Sequence, residues 1–366
     1  MRIEKLYFEH FRNLKTQQVD AKAGINIIWG ENGQGKTNLL EGIYLFAHLK
    51  SFRGAGNIDL IQAQGDHARI AITVNHTQVS RHLELKITPS GRSFLLDGKK
   101  PRPVESLLDA LRAILFSPDE LYPLRTLPAA RRSLIDRGIF QLDPSYLTRA
   151  IQYERVLKQR NRLLRERAGA DLIRPWTNQL IQTGAKIRRA RQSFIADLQP
   201  YLRTGHELLS GEREVVELLY PVVAETLSQH EEHLAVELQK GQSREERLGL
   251  TCAGPHRDDP LFAMNGAAVR HVVSQGQWRT LILSFKIALM SLLQERIGAW
   301  PVLLFDDMSA ELDTARQERL FSLLMDCKAQ VFVTTTDLQP FLRFGNEMIH
   351  PLHMAAGEIH PGQTRY

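Results

Sequence analysis

Short apolar runs that end in glycine or polar residues recur along the chain and predict the strands of a buried sheet. The clearest runs occupy residues 24–29, 301–307 and 330–337. Apolar residues at helical spacing follow the first run over residues 37–46, and a long apolar helix is predicted to begin at Trp278. Buried strands that alternate with helices in this way favour an α/β fold.

Alternation with a period of two predicts a second, antiparallel β layer after the first helix. Residues 67–74 and 82–87 alternate between apolar and polar positions, and Asp97-Gly98 marks a tight hairpin turn. Residues 1–10 alternate well enough to form an edge strand. Beyond this layer, Ser117-Pro118 predicts a short helix whose first turn is capped by the serine hydroxyl.

The middle of the chain, from about residue 128, reads as helical. Apolar residues recur there every seven positions, which predicts a packed helix seam in a compact arm. They are Leu180, Ile187, Phe194 and Tyr201.

Charge separates sharply along this helical region. Residues 149–191 contain twelve Lys/Arg and three Asp/Glu, whereas residues 207–247 contain four Lys/Arg and ten Asp/Glu. Two interpretations are open. The basic stretch is either a phosphate-binding face or one half of a helix pair in which the acidic stretch neutralises the basic one.

Composition sets the class of protein. The chain has 366 residues, 43% hydrophobic and 24% charged, and a net charge of +6, which is compatible with a polyanion partner but does not show one. Cys252 and Cys327 lack metal-type spacing, and a reducing compartment fits them best. We expect a cytoplasmic protein without membrane association, because the N-terminus lacks an apolar signal core and no run reaches the ~18 apolar residues of a span.

A glycine-rich segment between the first buried strand and the first helix is the strongest chemical signal. It fits the phosphate-binding pattern of a glycine, four free positions and Gly-Lys-Thr. Its glycines let successive backbone N–H groups face one anion, and the helix start adds partial positive charge. Lys36 would reach the terminal phosphates and Thr37 would ligate Mg²⁺. The full segment is Gly30, Glu31, Asn32, Gly33, Gln34, Gly35, Lys36 and Thr37.

The run at residues 301–307 ends in two carboxylates, the form of the acidic strand that accompanies a phosphate loop. Asp306 would hold Mg²⁺, directly or through water, and Asp307 would polarise the attacking water. Residues 309–313, Ser-Ala-Glu-Leu-Asp, follow at once, and the run at 330–337 ends in a similar group of polar residues.

Three other segments carry polar groups whose purpose the sequence leaves open. Ser274-Gln275-Gly276-Gln277 stands before the long helix as either a second anion site or an ordinary N-cap. Arg53, in a glycine-containing loop, could reach a nucleotide or DNA, or could be a solvated loop arginine. Residues 254–259, Gly-Pro-His-Arg-Asp-Asp, form a turn that is unusually rich in hydrogen-bonding groups.

The order of these motifs resembles an ABC-type P-loop ATPase head, an α/β fold, with a helical second lobe or short arm inserted. The resemblance implies ATP and Mg²⁺ as cofactors. It also implies a homodimer in which Ser274, Gly276 and Gln277 face the γ-phosphate of the opposite subunit. Two departures stand out: Asp307 replaces the usual glutamate, which suggests slow hydrolysis, and Thr335 or Thr336 occupies the usual histidine position. The glutamine that normally follows the first β layer is either Gln62 or Gln64.

Four segments are similar to the RecF family of bacterial recombination mediators: residues 30–37, 116–121, 254–259 and 274–277. The resemblance implies an ATP-dependent DNA-binding protein of replication and recombinational repair. Such a protein would act at gapped DNA and single-strand/double-strand junctions, work with RecO and RecR in loading RecA, and have weak DNA-stimulated ATPase activity.

The resemblance also predicts three regions: 1–125 and 249–366 as the two parts of the head, and 126–248 as the helical arm. Two other classes remain open from the residues alone, an ATPase subunit of a transporter and a P-loop kinase. The inserted arm and basic charge disfavour the transporter, and the segment at 274–277 disfavours the kinase.

Overall fold

A computed structural model of the protein describes residues 1–76, 79–102, 104, 106–269, 273–307, 314–342 and 348–361. Within these ranges the strands, in chain order, are β1 (Arg2–Glu9), β2 (Gln17–Asp20), β3 (Ile25–Trp29), β4 (Ala68–His76), β5 (Val79–Thr88), β6 (Gly91–Leu96), β7 (Ala113–Phe116), β8 (Val216–Leu219), β9 (Leu261–Met264), β10 (Ala267–Ala268), β11 (Val302–Phe305), β12 (Val331–Thr335), β13 (Ile349–Ala355) and β14 (Glu358–Pro361).

A single 3₁₀ turn in the same ranges covers Pro118–Glu120. The α-helices, in chain order, are α1 (Lys36–His48), α2 (Asn57–Leu60), α3 (Ser106–Ala110), α4 (Leu121–Thr126), α5 (Pro128–Leu142), α6 (Tyr146–Arg165), α7 (Ala170–Ser210), α8 (Leu227–Leu248), α9 (Gln275–Ile297), α10 (Thr314–Asp326) and α11 (Gln339–Leu342). Of the helices described, none combines the length and the apolar character that crossing a bilayer requires.

The chain divides into two compact units. The head unit consists of Met1–Leu121, Leu208–Gly211 and Ile282–Tyr366, and the helical unit consists of Tyr122–Glu207 and Glu212–Leu281. This division differs from the predicted region boundaries after residue 248. Residues 249–281 lie with the helical unit, because β9 pairs with β8 and carries this segment into the small sheet β10-β9-β8.

The head unit contains a six-stranded sheet in the order β14-β13-β3-β12-β11-β7. The three predicted apolar runs form β3, β11 and β12, and β12 pairs in parallel with both of the others. Their carboxyl ends therefore meet at one edge of the sheet, where ligands bind in open parallel sheets. The segments that follow them, at residues 30, 306 and 336, begin at this edge.

A second sheet of the head unit is antiparallel, in the order β2-β1-β4-β5-β6. The strand predicted over residues 1–10 is confirmed as β1, but its predicted position at the sheet edge was wrong, because β1 pairs with both β2 and β4. β2 escapes sequence analysis since only Val19 of its four residues is apolar. The predicted Asp97-Gly98 turn is confirmed: both residues have positive φ, and Leu96 and Lys99 exchange backbone hydrogen bonds of 2.8 and 3.0 Å.

Helix α1 is buried from Leu39 to His48, rather than on one face alone. Its apolar residues share one core with residues of both sheets, including Phe8 of β1 and Phe332 of β12. Contact with β1 is so close that a Cβ at Gly42 would lie 2.5 Å from a ring carbon of Phe8. The core that fixes α1 therefore also fixes the loop preceding it.

Ser117 does not cap the 3₁₀ turn through its side chain, as the sequence predicted. Its hydroxyl is buried directly after β7 and has no hydrogen-bond partner among the described residues. Burial at the end of the sheet thus overrides the local preference of serine for capping.

The helical unit confirms the predicted seam for Leu180, Ile187 and Phe194, which are buried along α7, whereas Tyr201 is half-buried. It also decides between the two interpretations of the basic stretch for its innermost arginines. Arg188 of α7 pairs with Glu237 of α8, and Arg160 of α6 pairs with Glu245 of α8. The acidic stretch thus neutralises Arg160 and Arg188, whereas buried Arg191 of α7 pairs with Asp136 of α5.

Candidate nucleotide site

The phosphate-loop segment connects the end of β3 to the start of α1. Gly30 and Gly35 have φ values of 154° and 109°, which favour glycine. A Cβ at Gly30 would lie 2.2 Å from the carbonyl oxygen of Met354, and one at Gly35 would lie 2.7 Å from Oδ1 of Asn13. Both positions thus require glycine, for space as well as for conformation.

Lys36 folds its side chain back over this loop. Its Nζ donates hydrogen bonds of 2.7 Å to the carbonyl oxygens of Gly30 and Glu31. Burial lowers the pKa of Lys36, and the nearby carboxylates of Asp307 and Asp306 partly offset that change. The ammonium group is therefore held at the loop by neutral acceptors, which phosphate oxygens could replace.

Asp306, directly after β11, is joined to the start of α1. The hydroxyl groups of Thr37 and Thr334 both donate to its Oδ1, at 2.8 Å each. Burial raises the pKa of Asp306, while these two hydrogen bonds lower it. Among the described residues, none donates a hydrogen bond to Oδ2. Hydroxyl and carboxylate oxygens are the ligands Mg²⁺ prefers, so Thr37 and Asp306 could hold that ion together with phosphate oxygens and water.

Asp307 differs from Asp306 in exposure and conformation. It lies on the surface with φ of 48°, a left-handed conformation that aspartate tolerates better than most residues. Its backbone N–H donates to the hydroxyl of Thr334 at 3.0 Å. The predicted Ser-Ala-Glu-Leu-Asp segment at 309–313 lies outside the described residues.

Several residues that hold the loop escaped sequence analysis. Asn13 donates to the carbonyl oxygen of Gly33 at 3.2 Å and accepts from Asn38 at 2.7 Å. The turn between β13 and β14 holds the opposite side, where N–H groups of Ala356 and Gly357 donate to the side chain and backbone of Gln34. No local signal could reveal these contacts, since Gln34 and Ala356 are 322 positions apart.

The structure gives the surroundings of the head-unit residues for which the sequence left two alternatives. Thr335 is buried and its hydroxyl donates to the carbonyl oxygen of Asp337, whereas Thr336 is exposed. The backbone N–H of Gln62 donates to the carbonyl oxygen of His10, and Gln64 has φ of 71°. Exposed Arg53 donates to Oδ1 of Asn38 in the first turn of α1 at 3.2 Å, so both interpretations of Arg53 stay open.

The segment at 274–277 belongs to the helical unit and forms a reciprocal cap at the start of α9. The N–H of Gln277 donates to Oγ of Ser274 at 3.1 Å, and the N–H of Ser274 donates to Oε1 of Gln277 at 3.0 Å. Ser274 and Gln275 are exposed and Gly276 is half-buried. The cap leaves the first-turn N–H groups of Gln275 and Gly276 without helical partners.

The polar turn at residues 254–259 is locked into the helical unit by arginines. Arg188 donates to Asp258 at 2.7 Å, Arg131 donates to Asp259 at 2.6 Å, and Arg191 donates to the carbonyl oxygen of Pro255 at 2.6 Å. Burial lowers the pKa of His256 to about 4. This cluster is a structural centre of the unit, in which a neutral imidazole is held among buried ion pairs.

The structure therefore brings the phosphate loop, Asp306 and Asp307 together in the head unit. The predicted helix-start residues Ser274, Gly276 and Gln277 lie in the other unit.

Comparisons with known proteins cover nearly the whole chain. The family model described as RecF/RecN/SMC N terminal domain matches residues 2–357. A DNA replication and repair protein RecF from Syntrophotalea carbinolica is 37% identical over 359 residues, which are 98% of this chain and 99% of the relative.

Solved structures of related proteins also match this chain over nearly its full length. A structure described as "recombination mediator protein RecF-ATP in RecFOR pathway" matches with a TM-score of 0.90 and 27% identity, over 99% of this chain and 97% of the other. A head domain of Smc, solved with the C-winged helix domain of ScpA, matches with a TM-score of 0.59 and 16% identity, over 100% and 98% of the two chains. The latter likeness concerns the fold alone.

These matches confirm the predicted ABC-type head with its helical second lobe. The alignment covers almost all of this chain and of its RecF relative, so the 37% identity extends along the full length of both. The chain belongs to the RecF family.

Proposed function

We propose that this protein is an ATP-dependent DNA-binding protein of DNA replication and recombinational repair. The hydrogen bond of 2.8 Å between Thr37 and Asp306 carries the nucleotide part of the proposal. It unites the two motifs, far apart in sequence, whose combination is the sign of a Mg-nucleotide site. The names of full-length relatives, and of a solved relative with ATP, support the rest.

Each residue of the site has a role suited to its surroundings. The loop N–H groups from Glu31 to Gly35 orient the phosphates, and the Lys36 ammonium neutralises the terminal ones. Thr37 and Asp306 would hold Mg²⁺, which would neutralise charge between the phosphates. Asp307 orients the attacking water. Its carboxylate is one methylene shorter than the glutamate usual in ABC-type heads, so hydrolysis is slow and serves as a timer.

The start of α9 acts on a second copy of the protein. Ser274 offers a hydroxyl and Gly276 an N–H without a helical partner, a donor set that suits a phosphate. Gln277 holds this turn through the reciprocal cap. We therefore place Ser274 and Gly276 on the γ-phosphate of an ATP held by Lys36 of the other subunit, which gives a two-fold dimer that forms with ATP and dissociates after hydrolysis.

The proposed DNA substrate is gapped DNA with single-strand/double-strand junctions, and the proposed partners are RecO and RecR. A solved relative described as part of the RecFOR pathway supports the partners. The net charge of +6 suits a nucleic acid. The full-length family match leaves the transporter-subunit and kinase alternatives without support.

Light scattering with Mg-ATP tests this function on three proteins. The wild type should associate on addition of Mg-ATP and dissociate as ATP is consumed. Asp307→Asn should bind ATP, hydrolyse it poorly and remain associated. Ser274→Arg should bind ATP but stay monomeric, because a bulky cation fills the place of the phosphate.

Nucleotide affinity, measured separately with a fluorescent ATP analogue, is the control that shows each head to be intact. A monomeric Asp307→Asn protein at saturating ATP, or a Ser274→Arg protein that dimerises like the wild type, would refute the shared-nucleotide mechanism.

A further inference from the structure

A partly buried carboxylate supports the first turn of α9 from the side. Nε2 of Gln277 donates to Oε1 of Glu214 at 3.2 Å, and Oε2 of Glu214 lies 2.8 Å from Nε2 of His206. The His206 side chain is 1% exposed and that of Glu214 is 14% exposed. His206 belongs to the last turns of α7, so the chain of contacts joins the end of α7 to the start of α9 within the helical unit.

The reciprocal cap does not need this support. A serine at the cap and a glutamine or glutamate three residues later are sufficient for it. A carboxylate that is partly removed from water carries a desolvation penalty, which its hydrogen bonds must offset. The arrangement therefore does more than satisfy a helix end.

The contact with Glu214 fixes which way the Gln277 amide points. Because Nε2 faces Glu214, Oε1 must face the N–H of Ser274. Ser274 Oγ in turn accepts from the Gln277 N–H, which leaves its own hydroxyl proton to be donated elsewhere. The carboxylate thus fixes the Gln277 side chain that accepts from the Ser274 N–H, and this contact holds the backbone that carries the serine hydroxyl.

We propose that Glu214 and His206 are positioning residues that preset the turn Ser274–Gln277 for the terminal phosphate of an ATP held by a second copy. This inference deepens the proposed function and rests on it. It also makes the end of α7 a determinant of nucleotide engagement at α9, through contacts confined to the helical unit.

The inference can be tested by exchanging the hydrogen-bond donor and acceptor between positions 277 and 214. Gln277→Glu keeps a good cap, since glutamate is as suitable as glutamine at that position, but it sets a carboxylate against Glu214. If capping were the whole role of residue 277, this variant would behave like the wild type. We expect instead that Mg-ATP-driven association weakens about tenfold or more, the range seen for directly coupled polar pairs.

Adding Glu214→Gln to Gln277→Glu restores the pair with donor and acceptor exchanged. The amide of the new glutamine donates to the new glutamate, and its carbonyl oxygen accepts from His206. We expect the double variant to associate within about threefold of the wild type. The matched control combines Gln277→Glu with Glu217→Gln. The second substitution removes an equal charge on β8, from an ion pair with Arg203 of α7, and should give no rescue.

Hydrogen exchange on the nucleotide-free proteins provides a readout that does not depend on ATP. Amides of residues 275–278 should exchange faster in Gln277→Glu and return to wild-type rates in the swapped pair only.

If wild type fails to associate with Mg-ATP, the proposed function fails while this readout still tests the positioning. Wild-type exchange and association in Gln277→Glu, or equal recovery in both double variants, would overturn the inference. Should Gln277→Glu not fold, recovery of folding only in the swapped pair supports it, and no recovery overturns it.

Discussion

Asp306 is a carboxylate in a buried position, where its charge is destabilising. Its residue is 7% exposed, and burial raises the pKa of its carboxyl group. The folded protein therefore holds this proton more tightly than the unfolded chain does. Stability falls as the pH rises from the ordinary value of 3.8 through the raised pKa, and at neutral pH the whole penalty applies. A metal ion beside the carboxylate would relieve it.

Asp306→Asn should accordingly stabilise the nucleotide-free protein at pH 7, by about 0.5–2 kcal/mol in the free energy of unfolding. The amide oxygen still accepts from Thr37 and Thr334, but no buried charge remains. The gain should shrink as the pH falls through the raised pKa and vanish below 3.8, where the wild-type carboxyl is protonated in both states. Thermal denaturation across a pH series measures it. Asp307→Asn, at an exposed position, is the control, and an Asp306→Asn protein less stable than wild type at pH 7 contradicts the argument.

Lys36→Ala should weaken ATP binding about 10- to 100-fold, because it removes the charge-assisted hydrogen bonds to the terminal phosphates. The protein should fold normally, since the hydrogen bonds that Nζ makes to described residues go to the loop carbonyls. Titration with a fluorescent ATP analogue gives the affinity. Lys86→Ala, at an exposed position of β5, is the matched control. Undiminished affinity in a folded Lys36→Ala protein would remove the loop from the nucleotide site.

Helix α7 carries two buried arginines, Arg188 and Arg191, that pair with carboxylates. Arg188 is 1% exposed, and it donates to both oxygens of Asp258, which also accepts from Tyr220 at 2.5 Å. Replacing the arginine leaves a buried carboxylate without its counter-charge. This loss lowers the free energy of unfolding by more than the intact pair adds to it, because the remaining charge stays out of water.

Arg188→Leu should therefore destabilise the helical unit by about 3–5 kcal/mol. Scanning calorimetry is the suitable measurement, since a chain of two units need not unfold in one transition. Arg174→Leu, on the same helix, removes an arginine whose pair with Asp171 is exposed, and it should change stability by less than about 1 kcal/mol. Equal effects of the two substitutions would contradict this account of the charge separation.

Sequence analysis succeeded for elements whose signal is local. β3, the phosphate loop and the start of α1 follow one another without interruption, and the Asp97-Gly98 turn specifies its own geometry. It failed where the partner lies far along the chain. Gln34 accepts from Ala356, His206 is connected to Gln277 through Glu214, and neither contact leaves a periodic pattern.

For the whole molecule, the distribution of charge limits how DNA can be bound. Many of the twelve basic residues in 149–191 are committed to carboxylates, including Arg160, Arg188 and Arg191. These three arginines are buried and cannot contact phosphates, so DNA binding depends on the exposed cations of the two units. The net positive charge therefore overstates the number of possible contacts.

The logarithm of DNA affinity should fall linearly with the logarithm of salt concentration, with a slope of about −0.9 per phosphate contact on duplex. We expect several contacts, little sequence preference, and a steeper slope with ATP than without, because a dimer doubles the contacts. Fluorescence anisotropy over a salt series measures both slopes. A salt-independent affinity, or strong preference for one sequence, would refute backbone recognition.

The strand order of the six-stranded sheet has a consequence for synthesis on the ribosome. β3 lies between β12 and β13, and Trp29 is in register with His353. At roughly 5–20 residues per second, a translating ribosome adds the neighbours of β3 some 15–65 s after β3 itself. The whole helical unit, which lies between Tyr122 and Leu281, is synthesised within that interval. A nascent chain stalled after α9 would therefore carry the complete phosphate-loop sequence and still be unable to retain ATP.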